Sequence, residues 1–167
     1  MSLPSQRRDR SVSSRTETRG MRYFEDVTVG DRFTGGPLTV EAAEIVAYAA
    51  KFDPQPFHLD AEAAKDTLFR GLAASGWHTA GMTMRMIVGS DAELAGGYIG
   101  MGVDEIGWPR PTRPGDVLRI EMEVLEARRS AKRPDQGVLR VKTTTFNQND
   151  EVVQTMTANL LAPGRPA

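Results

Sequence analysis

Gly76-Trp77-His78-Thr79-Ala80-Gly81-Met82-Thr83-Met84-Arg85-Met86-Ile87-Val88 is the stretch that decides the architecture of this chain. Trp77, Ala80, Gly81, Met84, Ile87 and Val88 recur at helical spacing as one apolar stripe, and Met82 and Met86 carry hydrophobicity further around the cylinder. A helix this apolar has to be largely surrounded by protein. The surround follows downstream. Leu118, Ile120, Met122 and Val124 alternate with Arg119, Glu121 and Glu123, the period-two signature of a strand with one buried face. Leu139, Val141 and Thr143 repeat the pattern, and a third run extends from Val152 to Leu161. Pro114-Gly115, Arg133-Pro134-Asp135-Gln136-Gly137 and Asn147-Gln148-Asn149-Asp150 punctuate these strands with turn chemistry. One buried helix followed by antiparallel strands predicts an α+β domain in which a curved sheet wraps the helix. Such a sheet leaves an edge strand and part of a face open, so a homodimer or higher homo-oligomer is the expected way to cover them.

Upstream of that helix, Thr39 is expected to cap a shorter one in which Ile45, Val46, Ala49 and Phe52 share a face. It leads into Phe52-Asp53-Pro54-Gln55-Pro56-Phe57-His58-Leu59-Asp60, a segment too proline-rich for helix or strand. Each proline fixes its own φ and biases the residue before it toward extended geometry, so Asp53 and His58 are held in a fixed relation. An imidazole that titrates near neutral pH beside a carboxylate suits general acid and base work on a water molecule. Asp60 is placed to cap the helical residues after it, with Glu62 near their positive end. His78 falls one turn into the apolar helix and is read as a hydrogen-bonded core or interface residue. No metal site is expected, because Asp53, His58, Asp60 and His78 lack a recognised ligand spacing.

The chain has 167 residues, 40% of them hydrophobic, which suits one domain with a substantial core. Twenty-one basic against 22 acidic residues give a net charge of -1, so no broad field favours nucleic acid. There is no cysteine, which removes disulfides, thiolate nucleophiles and cysteine zinc sites, and is compatible with a cytoplasmic location. No apolar run approaches the roughly 20 residues that span a bilayer, and no membrane role is expected. Residues 1–20 carry Arg7, Arg8, Arg10, Arg15 and Arg19 among serines and cannot build a core, so they are read as a disordered or extended arm before a domain over 21–167.

Three motifs together resemble the MaoC-like dehydratases, relatives of the (R)-specific enoyl-CoA hydratases. They are Asp53-Pro-Gln-Pro-Phe-His58, the helix start Ala74-Ser75-Gly76-Trp77-His78, and Trp108-Pro-Arg-Pro-Thr-Arg-Pro-Gly-Asp116. The resemblance runs from Met21 to about Pro163 and implies the hotdog fold, a dimer, and a site for acyl thioesters near the subunit interface. It implies that Asp53 and His58 are the catalytic pair, acting without metal or redox cofactor to add or remove water across the α,β bond of an enoyl or 3-hydroxyacyl thioester. Gln55 stands where the family motif has Asn, and its longer side chain shifts the polar head that shapes the loop.

Negative charge on the thioester oxygen calls for preorganised donors, and the free N–H groups at the helix start can supply them, Gly76 foremost. Ser75 is expected to cap the helix or touch the carbonyl, and Trp77 to border the acyl group. Arg110 and Arg113 are expected to meet the phosphates of coenzyme A. A carrier-protein phosphopantetheine presents the same arm as coenzyme A. Thioester hydrolysis on the same fold, and acyl-thioester binding without turnover, are the alternatives.

Overall fold

The computed structural model describes residues 20–167; the arm expected over residues 1–20 lies almost wholly outside them. A 3-10 turn at Phe24–Asp26 precedes β1 (Arg32–Thr39), α1 (Ala42–Phe52), α2 (Pro56–Leu59), α3 (Ala61–Lys65) and α4 (Gly76–Val88). Four strands interrupted only by loops complete the chain: β2 (Ile99–Gly107), β3 (Val117–Arg129), β4 (Gln136–Phe146) and β5 (Val152–Pro163). They form one antiparallel sheet in the order β1-β3-β4-β5-β2, with α4 packed on its inner face. This is the hotdog arrangement.

The alternation read in β3 and β4 is realised. Leu118, Ile120, Met122 and Val124 point into the core with Leu139 and Val141, while Arg119, Glu121 and Glu123 face outward. Each such buried aliphatic side chain contributes about 1.5–3 kcal/mol. The turn Arg113-Pro114-Gly115-Asp116 that launches β3 has proline at its second position and glycine at φ +83° in its third, as a type II turn requires. Asp116 closes it by accepting from the Arg113 N–H at 2.8 Å.

Three expectations need correction. Thr39 ends β1, paired with Val117, and caps no helix; Glu41 stands at the start of α1. In α1 only Ile45 and Ala49 are buried, and Phe52 lies exposed at its end. The largest difference concerns α4. Its buried face carries His78, Thr79, Met82, Thr83, Met86 and Ile87, whereas Trp77, Gly81 and Val88 lie on the outer surface. The apolar stripe is therefore split, with Ile87 in the core and Met84 bordering an apolar cavity against this chain's own sheet while Trp77 and Val88 face away from it.

The inward face is set by hydroxyl pairing. Thr83 and Thr145 share a hydrogen bond at 2.8 Å, and the Thr79 hydroxyl donates to Thr112 at 3.1 Å. Buried hydroxyls need partners, and small threonines let the helix approach the sheet closely. Thr145→Val should therefore destabilise the fold by about 1–3 kcal/mol by leaving the Thr83 hydroxyl unpaired. Urea unfolding of Thr83→Val/Thr145→Val should recover part of that loss, because both partners are then apolar.

Candidate active site

Asp53 closes α1 as its C-cap, its N–H donating to the Ala49 carbonyl at 2.9 Å. Gln55 follows in extended geometry, as a residue before proline should. Pro56 then opens a single helical turn where no helix was expected, because proline at the first helical position lacks only an N–H that would have no partner there. That turn carries His58 inward, where it is 4% exposed. Asp60 ends the turn and caps α3, accepting from the N–H groups of Glu62 and Ala63 at 2.8 and 2.9 Å.

His58 Nδ1 lies 2.6 Å from the Ala73 carbonyl oxygen. A carbonyl only accepts, so Nδ1 carries the proton and Nε2 of the neutral ring presents a lone pair. That Nε2 lies 3.5 Å from Asp53 Oδ2. Two proton acceptors therefore converge, too far apart for a good direct hydrogen bond and close enough for one small donor to engage both. Phe57 and Phe69 pack around the imidazole, with ring centroids 4.6 and 5.7 Å from its own.

The carboxylate is bracketed by donors. Gln55 Nε2 donates to Asp53 Oδ1 at 2.6 Å. The Ser75 hydroxyl accepts from the Trp77 N–H at 3.3 Å as the cap of α4 and lies near enough to Asp53 to help hold its carboxyl down. Burial alone would raise the Asp53 carboxyl, but the Gln55 amide and the Ser75 hydroxyl, joined by the charge of His58 whenever that ring is protonated, outweigh it and hold the group below the usual aspartate range. One serine thus joins the dyad to the start of the central helix.

His58, Phe69, Ala74, Gly76, Trp108 and Thr112 border a cavity of about 220 Å³ at that helix start. Gly76 meets a strict packing demand there: a Cβ would stand 2.7 Å from the Trp108 ring. Trp108 Nε1 donates to Gln154 Oε1 at 2.8 Å. Arg110 sits at the rim, half exposed, with Nη1 3.3 Å from the Val152 carbonyl and Nε 3.8 Å from Glu151. Arg113, expected to meet phosphates, directs its guanidinium at the carbonyls of Phe69, Gly71 and Leu72 and so ties down the loop carrying Phe69. Trp77 lies outside the cavity lining, 61% exposed and edge-on to Trp108. His78 stacks on Tyr48 of α1 at 4.7 Å; burial pushes its pKa down against the opposing pull of Glu44.

A family model described as a MaoC like domain matches residues 24–147. The chain belongs to the MaoC-like family. Its fold matches a MaoC-like dehydratase from Rhodospirillum rubrum at 53% identity and a TM-score of 0.84, covering 87% of this chain and 99% of that one. An Archaeoglobus protein described as a monoamine oxidase regulatory protein is 28% identical over 89% of this chain and 98% of its own, with a TM-score of 0.75. An (R)-hydratase from Pseudomonas aeruginosa is 27% identical over 86% of each chain, with a TM-score of 0.69.

Four residues of this MaoC-like site escaped the reading of the sequence as site residues: Phe69, Ala73, Trp108 and Gln154. Ala73 acts through its carbonyl and leaves no side-chain signal. Trp108, one of two tryptophans, opens a proline-rich turn, and Gln154 is a polar residue inside the run from Val152 to Leu161. Those oddities were the available clues.

Replacing Gln55 by Leu should raise the Asp53 titration, because burial would then be opposed by fewer donors. A carboxyl carbon-13 NMR titration reads the shift. The linkage has the same sign: a depressed folded pKa adds stability above the ordinary aspartate range that is lost as pH falls through the folded value, so Gln55→Leu should reduce that contribution.

Proposed function

We infer that this MaoC-like protein is a hydratase or dehydratase of enoyl and 3-hydroxyacyl thioesters, most directly those of coenzyme A. The observation that carries the reading is the pair of converging acceptors, Asp53 Oδ2 and the lone pair on His58 Nε2, 3.5 Å apart. Water has two O–H donors and one nucleophilic oxygen. Held by Asp53 and His58 together, it loses one proton to the dyad as its oxygen bonds to the β-carbon. The π electrons of the α,β bond move toward the thioester carbonyl, and charge gathers on its oxygen. The dyad proton then passes to the α-carbon, the enolate collapses, and the dyad regains its starting charge. The same steps in reverse eliminate water.

Charge on the thioester oxygen falls to Gly76. As the first helical residue of α4 its N–H has no acceptor within the helix, and the helix dipole adds positive potential there. Ser75 orients the carboxylate, and Gln55 does so from the opposite oxygen. Arg110, at the cavity rim, is the residue placed to meet coenzyme A phosphates. Family membership and the likeness to the (R)-hydratase support this chemistry.

Loss of the conjugated enoyl absorbance of crotonyl-CoA tests the reading. Asp53→Asn and His58→Ala should each lower kcat by about 10²–10⁴-fold, without thiol release in the wild type. Thiol release would identify a thioesterase instead, and tight acyl-CoA binding without turnover a binding protein.

The functional unit proposed is a homodimer. Among the described residues β2 bonds only to β5, and its Ile99, Met101 and Val103 are at least half exposed. On the outer side of α4, Trp77 and Val88 add further exposed apolar surface. Sheet edges left this apolar pair with another copy. Among the described residues no helix is long and apolar enough to cross a membrane. Light scattering should give twice the 18.3 kDa chain mass for the wild type, and Met101→Glu should shift the population toward monomer.

A further inference from the structure

We propose that Trp108, held in place by Gln154, is the wall that sets acyl length in this site and restricts it to short-chain acyl thioesters. This rests on the acyl-thioester reading above and adds the substrate class. The indole lies directly on the first residue of α4, so close that a Cβ on Gly76 would meet its Cε2, Cδ2 and Cζ2 atoms at 2.7–3.0 Å. It borders the same cavity as His58. In this proposal the thioester carbonyl meets the Gly76 N–H, the β-carbon meets the water at the dyad, and the acyl chain runs on toward the indole. The cavity, about 220 Å³, is smaller than the roughly 300–1,000 Å³ usual for small-molecule sites. A larger apolar cavity of about 330 Å³ between the far end of α4 and the sheet shares no lining residue with it.

What makes the indole a fixed wall is its hydrogen bond. An indole N–H only donates, so the amide of Gln154 must present Oε1 to it, at 2.8 Å. That choice leaves Gln154 Nε2 buried with no partner among the described residues, on a side chain that is 0% exposed. A buried amide with an idle donor is poorer for stability than an apolar residue of similar size. Its role is to anchor Trp108. Trp77 packs against the ring in a T-shaped arrangement, 5.4 Å between centroids. The indole is thus restrained by backbone, by an amide and by a second ring.

The test compares kcat/KM for crotonyl-CoA and trans-2-decenoyl-CoA, alongside calorimetric Kd values for butyryl-CoA and decanoyl-CoA, which cannot be hydrated. The wild type should favour the short chain by about 100-fold, and Trp108→Ala should reduce that preference to about 10-fold or less. Trp108→Leu serves the same purpose should the alanine variant fold poorly. Gln154→Leu should relax the preference in the wild-type background and add nothing to Trp108→Phe, which has no N–H to anchor; a purely structural effect of Gln154 would be the same in both. A wild type indifferent to chain length, or an unchanged preference in the Trp108→Ala and Trp108→Leu variants, overturns the proposal while leaving the hydratase reading intact. Thiol release, or no turnover, with a short-chain binding preference that Trp108→Ala abolishes would sustain the proposal and overturn the hydratase reading. Neither turnover nor binding would overturn both.

Discussion

The rotation of α4 about its own axis is the constraint on which the site depends. Apolar packing is non-directional and would tolerate several settings of a helix that carries methionine on most of its faces. The Thr83–Thr145 and Thr79–Thr112 bonds do not tolerate them, since a small rotation would leave buried hydroxyls without partners. With that setting fixed, Gly76 comes to lie under Trp108 and the Ser75 hydroxyl caps the helix through the Trp77 N–H. The same setting turns Trp77 and Val88 outward. Site and candidate subunit interface are two faces of one packing decision.

Around the dyad, two opposed electrostatic effects meet. Burial penalises the Asp53 carboxylate, and the Gln55 amide and the Ser75 hydroxyl, with the charge of His58 whenever that ring is protonated, more than offset the penalty. His58 is governed from its far side, where the Ala73 carbonyl holds the proton on Nδ1. Ala73 is in turn placed by its N–H bond to the Phe57 carbonyl, and Ala74 by its bond to the Thr112 carbonyl. The loop before α4 is thus stitched both to the turn bearing His58 and to the segment after β2. Arg113 adds three more bonds to that loop, which gives this arginine a positional use that its sequence surroundings did not suggest.

Much of the fold was legible because its signals are local. The span of α4 follows from composition and capping, with Ser75 before it, and β3 and β4 follow from strict alternation. β1 and β2 were not legible. Both are edge strands, and Gly35-Gly36-Pro37 and Gly100 with Gly102 interrupt any period-two pattern; their register with β3 and β5 slips at those points. Which side of α4 the sheet covers was not legible for a different reason. Periodicity locates an apolar face but does not say whether a protein's own sheet or another surface covers it.

The sequence by itself determined that Asp53 and His58 share one short proline-stiffened segment, because the two prolines bound it locally, and that a central helix is wrapped by antiparallel strands. Only the tertiary structure decided which groups complete the site. Ala73, Trp108 and Gln154 come to it from distant points along the chain and act through a carbonyl, a ring face and an amide oxygen. Such contacts depend on strand register and helix rotation, which are set by the packing of the whole core and leave no local pattern to read.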